Sequence, residues 1–149
     1  MNGLRRFGRR LLYGGTRNLR PYEQTVLDQA AAALGEPDQD VLKKQLASRE
    51  FVQRDLKDRM VRFCFDPQSP PRQLFSEAGE EHSLVQVHLQ AATSRVRATV
   101  MIHKGLLSSL EFSKDPAVLS GGAVKIIEVV TGGKSSPLAV VADRAEHGK

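Results

Sequence analysis

The chain has little cysteine and few aromatic residues. Among its 149 residues are one Cys, no Trp, two Tyr and six Phe. The single cysteine, Cys64, excludes an internal disulfide and fits a reducing compartment. The length is typical of one domain with a sizeable core. Because aromatic side chains are scarce, we expect this core to consist mainly of Leu, Val, Ile and Ala.

The chain also lacks a long hydrophobic run. No stretch approaches the roughly 20 apolar residues that span a bilayer. The apolar stretch 11–13 is too short for a secretory signal, and Gly14 and Gly15 follow it directly. The Arg-rich start is similar to a mitochondrial presequence but lacks its Ser enrichment. The sequence therefore predicts a cytoplasmic protein, with peripheral membrane association as an alternative.

Acidic residues are missing from the first 22 positions. This stretch holds six Arg, and the first acidic side chain is Glu23. The remaining 127 residues are nearly neutral, with 16 basic and 17 acidic side chains. The pattern predicts a basic arm over residues 1–20. Leu4, Phe7 and Leu11 share one side of this arm at helical spacing.

The arm has three interpretations. Its cations and apolar stripe suit an anionic membrane surface, which attracts each arginine by about 1 kcal/mol. Nucleic acid phosphates would attract it as well, but the neutral body and the scarcity of aromatic residues argue against nucleic acid. The third interpretation is a solubilising tail, or an arm that packs on its own domain. The predicted anion-binding side chains are Arg5, Arg6, Arg9 and Arg10.

Helical patterns precede the strand patterns along the chain. Apolar residues repeat at helical spacing over 21–34, which predicts a helix there. Asp38 or Asp40 can cap a second helix, which begins near position 41 and ends near Ser48. Residues 50–56 fit either a continuation of this helix or a strand, and we favour the strand.

Alternation of apolar and polar residues predicts an antiparallel sheet of about five strands. Placing the apolar residues of the strands over 84–90 and 95–102 on the same face sets Val85 opposite Val100 and Leu89 opposite Val96. The fold class is therefore α+β, with one or two N-terminal helices packed on this meander. We expect one domain over 21–142 and a flexible tail over 143–149. Strands are predicted over 61–65, 84–90, 95–102, 106–112 and 124–130, with a further short one over 137–142.

The connection at Gly105 decides the next register. A two-residue turn would set Ala98 opposite Glu111, which mismatches the apolar faces. A three-residue loop that ends at Gly105, with positive φ and a bulge, sets Ala98 opposite Leu110 instead. This register predicts that Phe112 is buried.

The same register places His88, Arg97 and Glu111 across three strands on the polar face. Such a cluster could bind an anion or transfer a proton. The alternative is a solvated face with an Arg97–Glu111 pair worth about 0.2–1 kcal/mol. No second carboxylate or nucleophile joins the cluster, which favours the alternative.

An apolar seam on this face predicts cover by a helix or by a partner chain. The seam consists of Leu84, Met101 and Leu107.

Signatures of metal, cofactor and catalytic sites are missing. His82 and His103 come out opposite each other, but a catalytic zinc needs a third protein ligand. Cys64 has no base beside it, so we expect an unreactive, partly covered thiol. The stretch 133–135 imitates the end of a phosphate-binding loop, but Glu128 stands where that motif requires glycine. We expect no metal and no cofactor, and the sequence favours a non-enzymatic function.

Two stretches carry a family resemblance. The hairpin sequence from His103 to Phe112 closes the meander that begins at Leu84, and residues 19–23 open a short helix. Over 19–112 the chain resembles small uncharacterised bacterial α+β domains, including immunity-type proteins of polymorphic toxin systems. The pattern is also similar to cystatin-like and nuclear-transport-factor-like sheets. These folds imply helices laid on a curved antiparallel sheet.

Together these observations predict a small, non-enzymatic protein-binding module of the immunity type. It would bind another protein through its sheet face or an exposed helix. One alternative is a peripheral membrane protein held by the basic arm. A second alternative is a ligand-binding or enzymatic pocket between the helices and a concave sheet, which would use His88, Arg97 and Glu111.

Overall fold

Helices come first in the chain and strands follow them. The computed structural model describes residues 8, 14–76, 80–132 and 134–135. The predicted α+β fold class is confirmed. Within the described residues, no helix combines the length and the hydropathy needed to span a bilayer. The elements are α1 (Pro21–Ala33), α2 (Asp38–Ser48), β1 (Phe51–Asp55), β2 (Met60–Cys64), β3 (His82–Ala91), β4 (Ser94–His103), β5 (Leu106–Phe112), a 3-10 helix (Pro116–Leu119), β6 (Val124–Thr131) and β7 (Lys134–Ser135).

Helix α1 lies within one residue of its predicted bounds. Pro21 occupies the first turn, where a backbone N–H has no helical acceptor. The Glu23 carboxylate accepts the backbone N–H of Arg20 at 2.7 Å, which is the acidic half of a capping box. The buried side is formed by residues one turn apart, namely Val26, Leu27, Ala30 and Ala31.

Helix α2 begins at Asp38, three residues before its predicted start. Neither Asp38 nor Asp40 is the cap residue. Both lie in the first turn, where a carboxylate complements the positive end of the helix dipole. The helix ends at Ser48, and β1 follows it, so the strand prediction is confirmed over the helical continuation.

The sheet has the strand order β1-β2-β5-β4-β3-β6-β7, and every neighbouring pair is antiparallel. The predicted meander β3–β4–β5 forms its centre. The hairpins β1–β2 and β6–β7 extend it on either side, so the described strands number seven rather than about five. The predicted strand over 137–142 and the tail over 143–149 lie outside the described residues.

The face of the sheet that packs on the helices is called the inner face, and the opposite one the outer face. Helix α1 packs on β3, β4 and β6, and α2 packs on β5. The predicted β3–β4 register is confirmed, with Val85 opposite Val100 and Leu89 opposite Val96. These side chains are at most 2% exposed and share one core with both helices. Since burying such a side chain contributes about 1.5–3 kcal/mol, the inner face provides most of the stabilisation.

The predicted β4–β5 register is wrong by two residues. Ala98 lies opposite Phe112 rather than Leu110. The connection is the two-residue turn Lys104–Gly105, in which the φ angles are 51° and 79°. Two positive φ angles are what a type I′ turn requires, and this turn matches the right-handed twist of the strands. The predicted three-residue loop overlooked that Lys104 adopts a left-handed conformation.

A bulge within the β4–β5 ladder, rather than in the loop, places the apolar residues of both strands on the same face. The register shifts between Met101 and Ile102, which leaves Ser108 as the extra residue of β5. Gly105 has the predicted positive φ, and Phe112 is buried at 3% exposure as predicted. Because a shift of two residues preserves the face, both observations fit either register.

The predicted apolar seam on the outer face does not form. A second register shift lies between Ser83 and Val85, so Leu84 is a bulge residue. An extra residue reverses the alternation of faces beyond it. Leu84 and Leu107 therefore belong to the core, at 7% and 1% exposure, while Met101 stays half-buried on the outer face.

One buried amide joins α2, the loop before β3 and the β4–β5 turn. Gln45 is 0% exposed, and its Nε2 donates to the carbonyls of Gln73 and Gly105 at 2.9 and 3.1 Å. Its Oε1 accepts the backbone N–H of Leu107 at 2.7 Å. The Gly105 carbonyl also accepts the backbone N–H of Phe75 at 3.0 Å. A fully satisfied buried amide fixes the relative positions of all three segments.

Substituting Gly105 by Ala is expected to lower the free energy of unfolding by about 1–3 kcal/mol. A Cβ there would lie 3.0 Å from Cβ of Leu74 and 3.4 Å from the Phe75 carbonyl oxygen, and the positive φ adds strain. Urea unfolding measures the effect. The matched control is Gly35→Ala, because a Cβ at position 35 meets no atom within 4 Å and φ is not positive. Equal losses of unfolding free energy in both variants would contradict the positive φ and the close contacts assigned to Gly105.

Candidate functional site

The predicted polar cluster lies on the outer face, but only two of its three residues are directly opposed. His88 lies opposite Arg97. Glu111 lies opposite Thr99, because the β4–β5 register differs from the predicted one. Ser113 takes the place predicted for Glu111, since its Oγ accepts the Arg97 N–H and its own N–H donates to the Arg97 carbonyl, both at 2.9 Å. The ion pairs among the described residues include none between Arg97 and Glu111.

A second charged neighbour of His88 was missed by the sequence analysis. Glu128 of β6 lies opposite His88 on the side away from Arg97. The row Glu128–His88–Arg97 therefore crosses three neighbouring strands, with Cβ atoms of adjacent pairs about 4.5–5.5 Å apart. The strand-like stretch over 124–130 indicates a strand but not the strand beside it. Only the tertiary structure places β6 next to β3.

The outer-face position separates this row from the helices. Successive side chains of a strand point to opposite faces. Val87 and Ala98, the sequence neighbours of His88 and Arg97, are fully buried in the core under the helices. In the described part of the chain, no pocket between helices and sheet is lined by the predicted cluster.

Cations gather at one end of the outer face. Arg95 and Lys125 flank Gln90 in the row next to Glu128–His88–Arg97. Arg95, Arg97 and Lys125 are exposed, whereas His88 and Gln90 are half-buried. We call Arg95, Arg97 and Lys125 the cationic patch. Glu128 is the carboxylate that the two rows contain, so the patch has net positive charge.

A groove of about 510 Å³ opens on the outer face beyond the last β2–β5 pair, and we call it the outer groove. Ser109 Oγ donates to Glu111 Oε1 at 3.0 Å beside it. Arg62 of its lining pairs with Asp55, with Nε and Oδ2 2.9 Å apart. The half-buried thiol of Cys64 also lines the groove. These groups make the groove mixed in polarity and give it one thiol.

The described residues hold no metal-binding arrangement. His82 lies opposite Ile102 and not opposite His103 as predicted, because Leu84 bulges out of the register. The two imidazoles are therefore on different faces of the sheet. Within the described ranges, no group of three or more His, Cys, Asp and Glu is placed to hold a metal ion.

The end of the predicted basic arm packs on the edge of the sheet. Thr16 and Val52 exchange two backbone hydrogen bonds of 2.8 and 2.9 Å, which adds a bridge to the free edge of β1. Arg54 Nη2 donates to the Asn18 carbonyl at 3.1 Å. Residues 16–20 thus contact the body. Outside the described residues lie the predicted anion-binding side chains Arg5, Arg6, Arg9 and Arg10.

A buried ion pair joins β1 to helix α1. Glu23 is 0% exposed, and its carboxylate oxygens accept from Arg54 Nε at 2.9 Å and Nη2 at 2.5 Å. This bidentate geometry offsets the cost of desolvating both charges. Nearby, Arg20 donates to Asp58 at 2.8 Å and to the Tyr22 hydroxyl at 3.2 Å. These bonds raise the pKa of Arg20, and burial raises the pKa of Tyr22.

The observed register makes a quantitative prediction for the polar cluster. An Arg97→Ala and Glu111→Ala double-mutant cycle is expected to give a coupling energy within about 0.3 kcal/mol of zero, because the two side chains form no ion pair. The same cycle with Glu23→Ala and Arg54→Ala is expected to exceed about 1 kcal/mol, because that pair is buried. Urea unfolding of each variant provides the energies. A strong Arg97–Glu111 coupling would instead favour the register in which these two residues lie opposite each other.

Comparison with known proteins assigns no family. The chain matches no protein-family model, and searches of curated proteins and of solved structures find no match either. The resemblance over 19–112 to immunity-type domains therefore stays an expectation from sequence. Two features of the outer face bear on function, namely the cationic patch and the outer groove.

Proposed function

We propose that this chain is a non-enzymatic protein-binding module that uses the β3–β4–β6 part of its outer face. One observation carries the proposal. Helices α1 and α2 both pack on the inner face, while the outer face of these strands presents half-buried and exposed polar side chains. A sheet face held rigid by a packed core on its other side is a preorganised surface for a partner.

The dimensions of this surface suit a protein partner. Strands β3 and β4 have 10 residues each, which gives a length of about 34 Å at roughly 3.4 Å per residue. Three neighbouring strands at about 4.8 Å spacing give a width of roughly 14 Å. The resulting area of roughly 490 Å² is more than half of the roughly 800 Å² that each partner contributes to a standard interface.

The charges on this surface indicate the chemistry of the partner. Arg95 and Arg97 are exposed, and Arg is enriched in protein interfaces because its guanidinium binds carboxylates in bidentate geometry. Aromatic side chains that would stack on bases are absent from the described outer positions of β3 and β4. An acidic protein surface therefore fits the cationic patch better than single-stranded nucleic acid does.

The narrower proposal is that the module is of the immunity type. Its support is the sequence resemblance over 19–112, and it predicts that the partner is a toxin domain with an acidic patch. The membrane-peripheral alternative has lost part of its support. Arg20 pairs with Asp58 and residues 16–20 pack on the body, so this alternative depends on the arginines before Gly14.

The proposal predicts a partner protein whose binding depends on the cationic patch. The full chain is used to capture proteins from native lysate, and the affinity of any stoichiometric companion is then measured by calorimetry. The double variant Arg95→Glu, Arg97→Glu is expected to weaken binding by at least about tenfold, because like charges would face each other across the interface. Binding should also weaken as ionic strength rises.

A charge reversal elsewhere serves as the matched control. Lys43 is exposed on α2, on the opposite side of the domain from the outer face. Lys43→Glu is expected to leave the affinity within about twofold of the wild type, since surface substitutions away from an interface have small effects. Equal weakening by both reversals, or a chain that recovers no companion, would contradict the proposal.

A further inference from the structure

A cavity of about 400 Å³ lies between the start of helix α1, the 3-10 helix and strands β3 and β6. Much of its lining is apolar. Leu89 and Leu119 are 0% and 3% exposed and belong to the core, and Val124 packs against this core from β6. Ligand sites in proteins are concave and mostly apolar, with a few polar groups that orient the ligand. We call this space the α1 cavity.

Two polar side chains of the lining have hydrogen-bond donors that the described contacts leave unused. The Tyr22 hydroxyl accepts from Arg20 Nη1 at 3.2 Å, and among the described residues no acceptor takes its own proton. Arg20 forms both of its described side-chain bonds through Nη1, and the second is to Asp58 at 2.8 Å. Its Nε and Nη2 groups are therefore able to donate to a further oxygen acceptor.

The other hydroxyl groups of the lining are already engaged. Thr25 Oγ1 donates to the Pro21 carbonyl at 3.0 Å. Ser120 Oγ donates to the Ala117 carbonyl at 2.7 Å. Among the described residues that line the cavity, Arg20 is the single charged side chain. The cavity therefore combines apolar walls with one cation and one phenol, and this chemistry suits a carboxylate that is attached to an apolar group.

We propose that the α1 cavity binds a small aliphatic carboxylate. The carboxylate accepts from the Tyr22 hydroxyl and from the free N–H groups of Arg20, and the aliphatic chain lies against the apolar lining. A charge-assisted hydrogen bond is roughly twice as strong as a neutral one, so the cation anchors the acid. The apolar lining adds affinity by removing the chain from water. This site lies on the helix side of the sheet, and it depends neither on the cationic patch nor on the proposed function.

The phenol of Tyr22 is held in place before any ligand binds. Tyr22 is 6% exposed, and its ring packs edge-on against Phe112 with the ring centroids 5.6 Å apart. Burial raises the pKa of Tyr22, so the hydroxyl keeps its proton at neutral pH and can donate it. A side chain that is fixed in this way loses little conformational freedom on binding, which favours affinity.

Asp58 competes with the ligand for Arg20. The two side chains of this ion pair are 43% and 44% exposed. Because an ion pair exposed to this degree contributes little to stability, it can exchange for a ligand carboxylate. The backbone of Asp58 has a φ of 67°, a left-handed conformation that Asn also adopts readily. Asp58→Asn is therefore expected to stay folded and to bind a carboxylate more tightly.

Sodium hexanoate is the probe, and its titration into the full chain is followed by two-dimensional proton–nitrogen NMR. Saturable shifts are expected in backbone amides of the cavity lining, such as those of Leu89, Ser120 and Gly122. The positions of the shifts distinguish this cavity from the cationic patch. Hexan-1-ol has the same chain length and no charge. It is expected to bind at least about tenfold more weakly, because it cannot accept a hydrogen bond as an anion.

Variants of the two donors test their roles. Arg20→Gln is expected to weaken hexanoate binding by at least about tenfold, and Tyr22→Phe by about threefold to tenfold, since the charged donor is the stronger one. Asp58→Asn is expected to tighten binding by about twofold to fivefold. Arg62→Gln is the matched control, because Arg62 forms an exposed ion pair with Asp55 and does not line the cavity. Its affinity is expected to stay within about twofold of the wild type.

Urea unfolding checks that each variant is folded. Three results would overturn the proposal. The first is a hexanoate titration without saturable shifts in the cavity lining. The second is an equal affinity for hexanoate and hexan-1-ol, which would mean that the cavity does not recognise the carboxylate. The third is an equal affinity of Arg20→Gln and the Arg62→Gln control for hexanoate. Weaker binding by Arg20→Gln together with tighter binding by Asp58→Asn supports the site.

Discussion

The structure depends on one constraint, which is that every strand must keep its apolar side chains on the same face. Both helices bury their apolar sides against that face, so a strand out of phase would place polar groups in the core. The chain meets the constraint with bulges. Leu84 in β3 and Ser108 in β5 each add one residue, and each addition reverses the alternation locally. The bulges thereby move Leu84 and Leu107 into the core.

The same constraint determines which side chains lie on the outer face. Once the apolar residues of β3 and β4 are committed to the core, the residues between them must point away from the helices. His88 and Arg97 are placed on the outer face in this way, and the β3–β6 ladder adds Glu128 beside them. A pocket beneath the helices would require these side chains on the other face. The proposed function as a binding surface follows from where the helices are, not from any catalytic group.

The β1 edge shows how the N-terminal residues complete the sheet. An open edge strand invites pairing with other chains. Here Thr16 bridges Val52, and the Glu23–Arg54 pair holds the same strand to α1. A nearly neutral body and a basic arm are therefore connected through a rigid junction rather than a loose linker. Gly15 packs closely on the ring of Phe51, which is buried on the outer face, so the junction contacts both faces of β1.

The sequence by itself determined the local features of this protein. Helix α1, the strands of the meander, the β3–β4 register and the sign of φ at Gly105 all follow from spacing and residue type, because they depend on neighbours in the chain. Only the tertiary structure decided that Glu111 lies opposite Thr99, that Glu128 stands beside His88 and that Phe51 is covered on the far face. Those outcomes depend on which strands pair, on the left-handed Lys104 and on the register shifts in the β3–β4, β4–β5 and β3–β6 ladders. No local pattern encodes these features, because each is fixed by packing against residues distant in the chain.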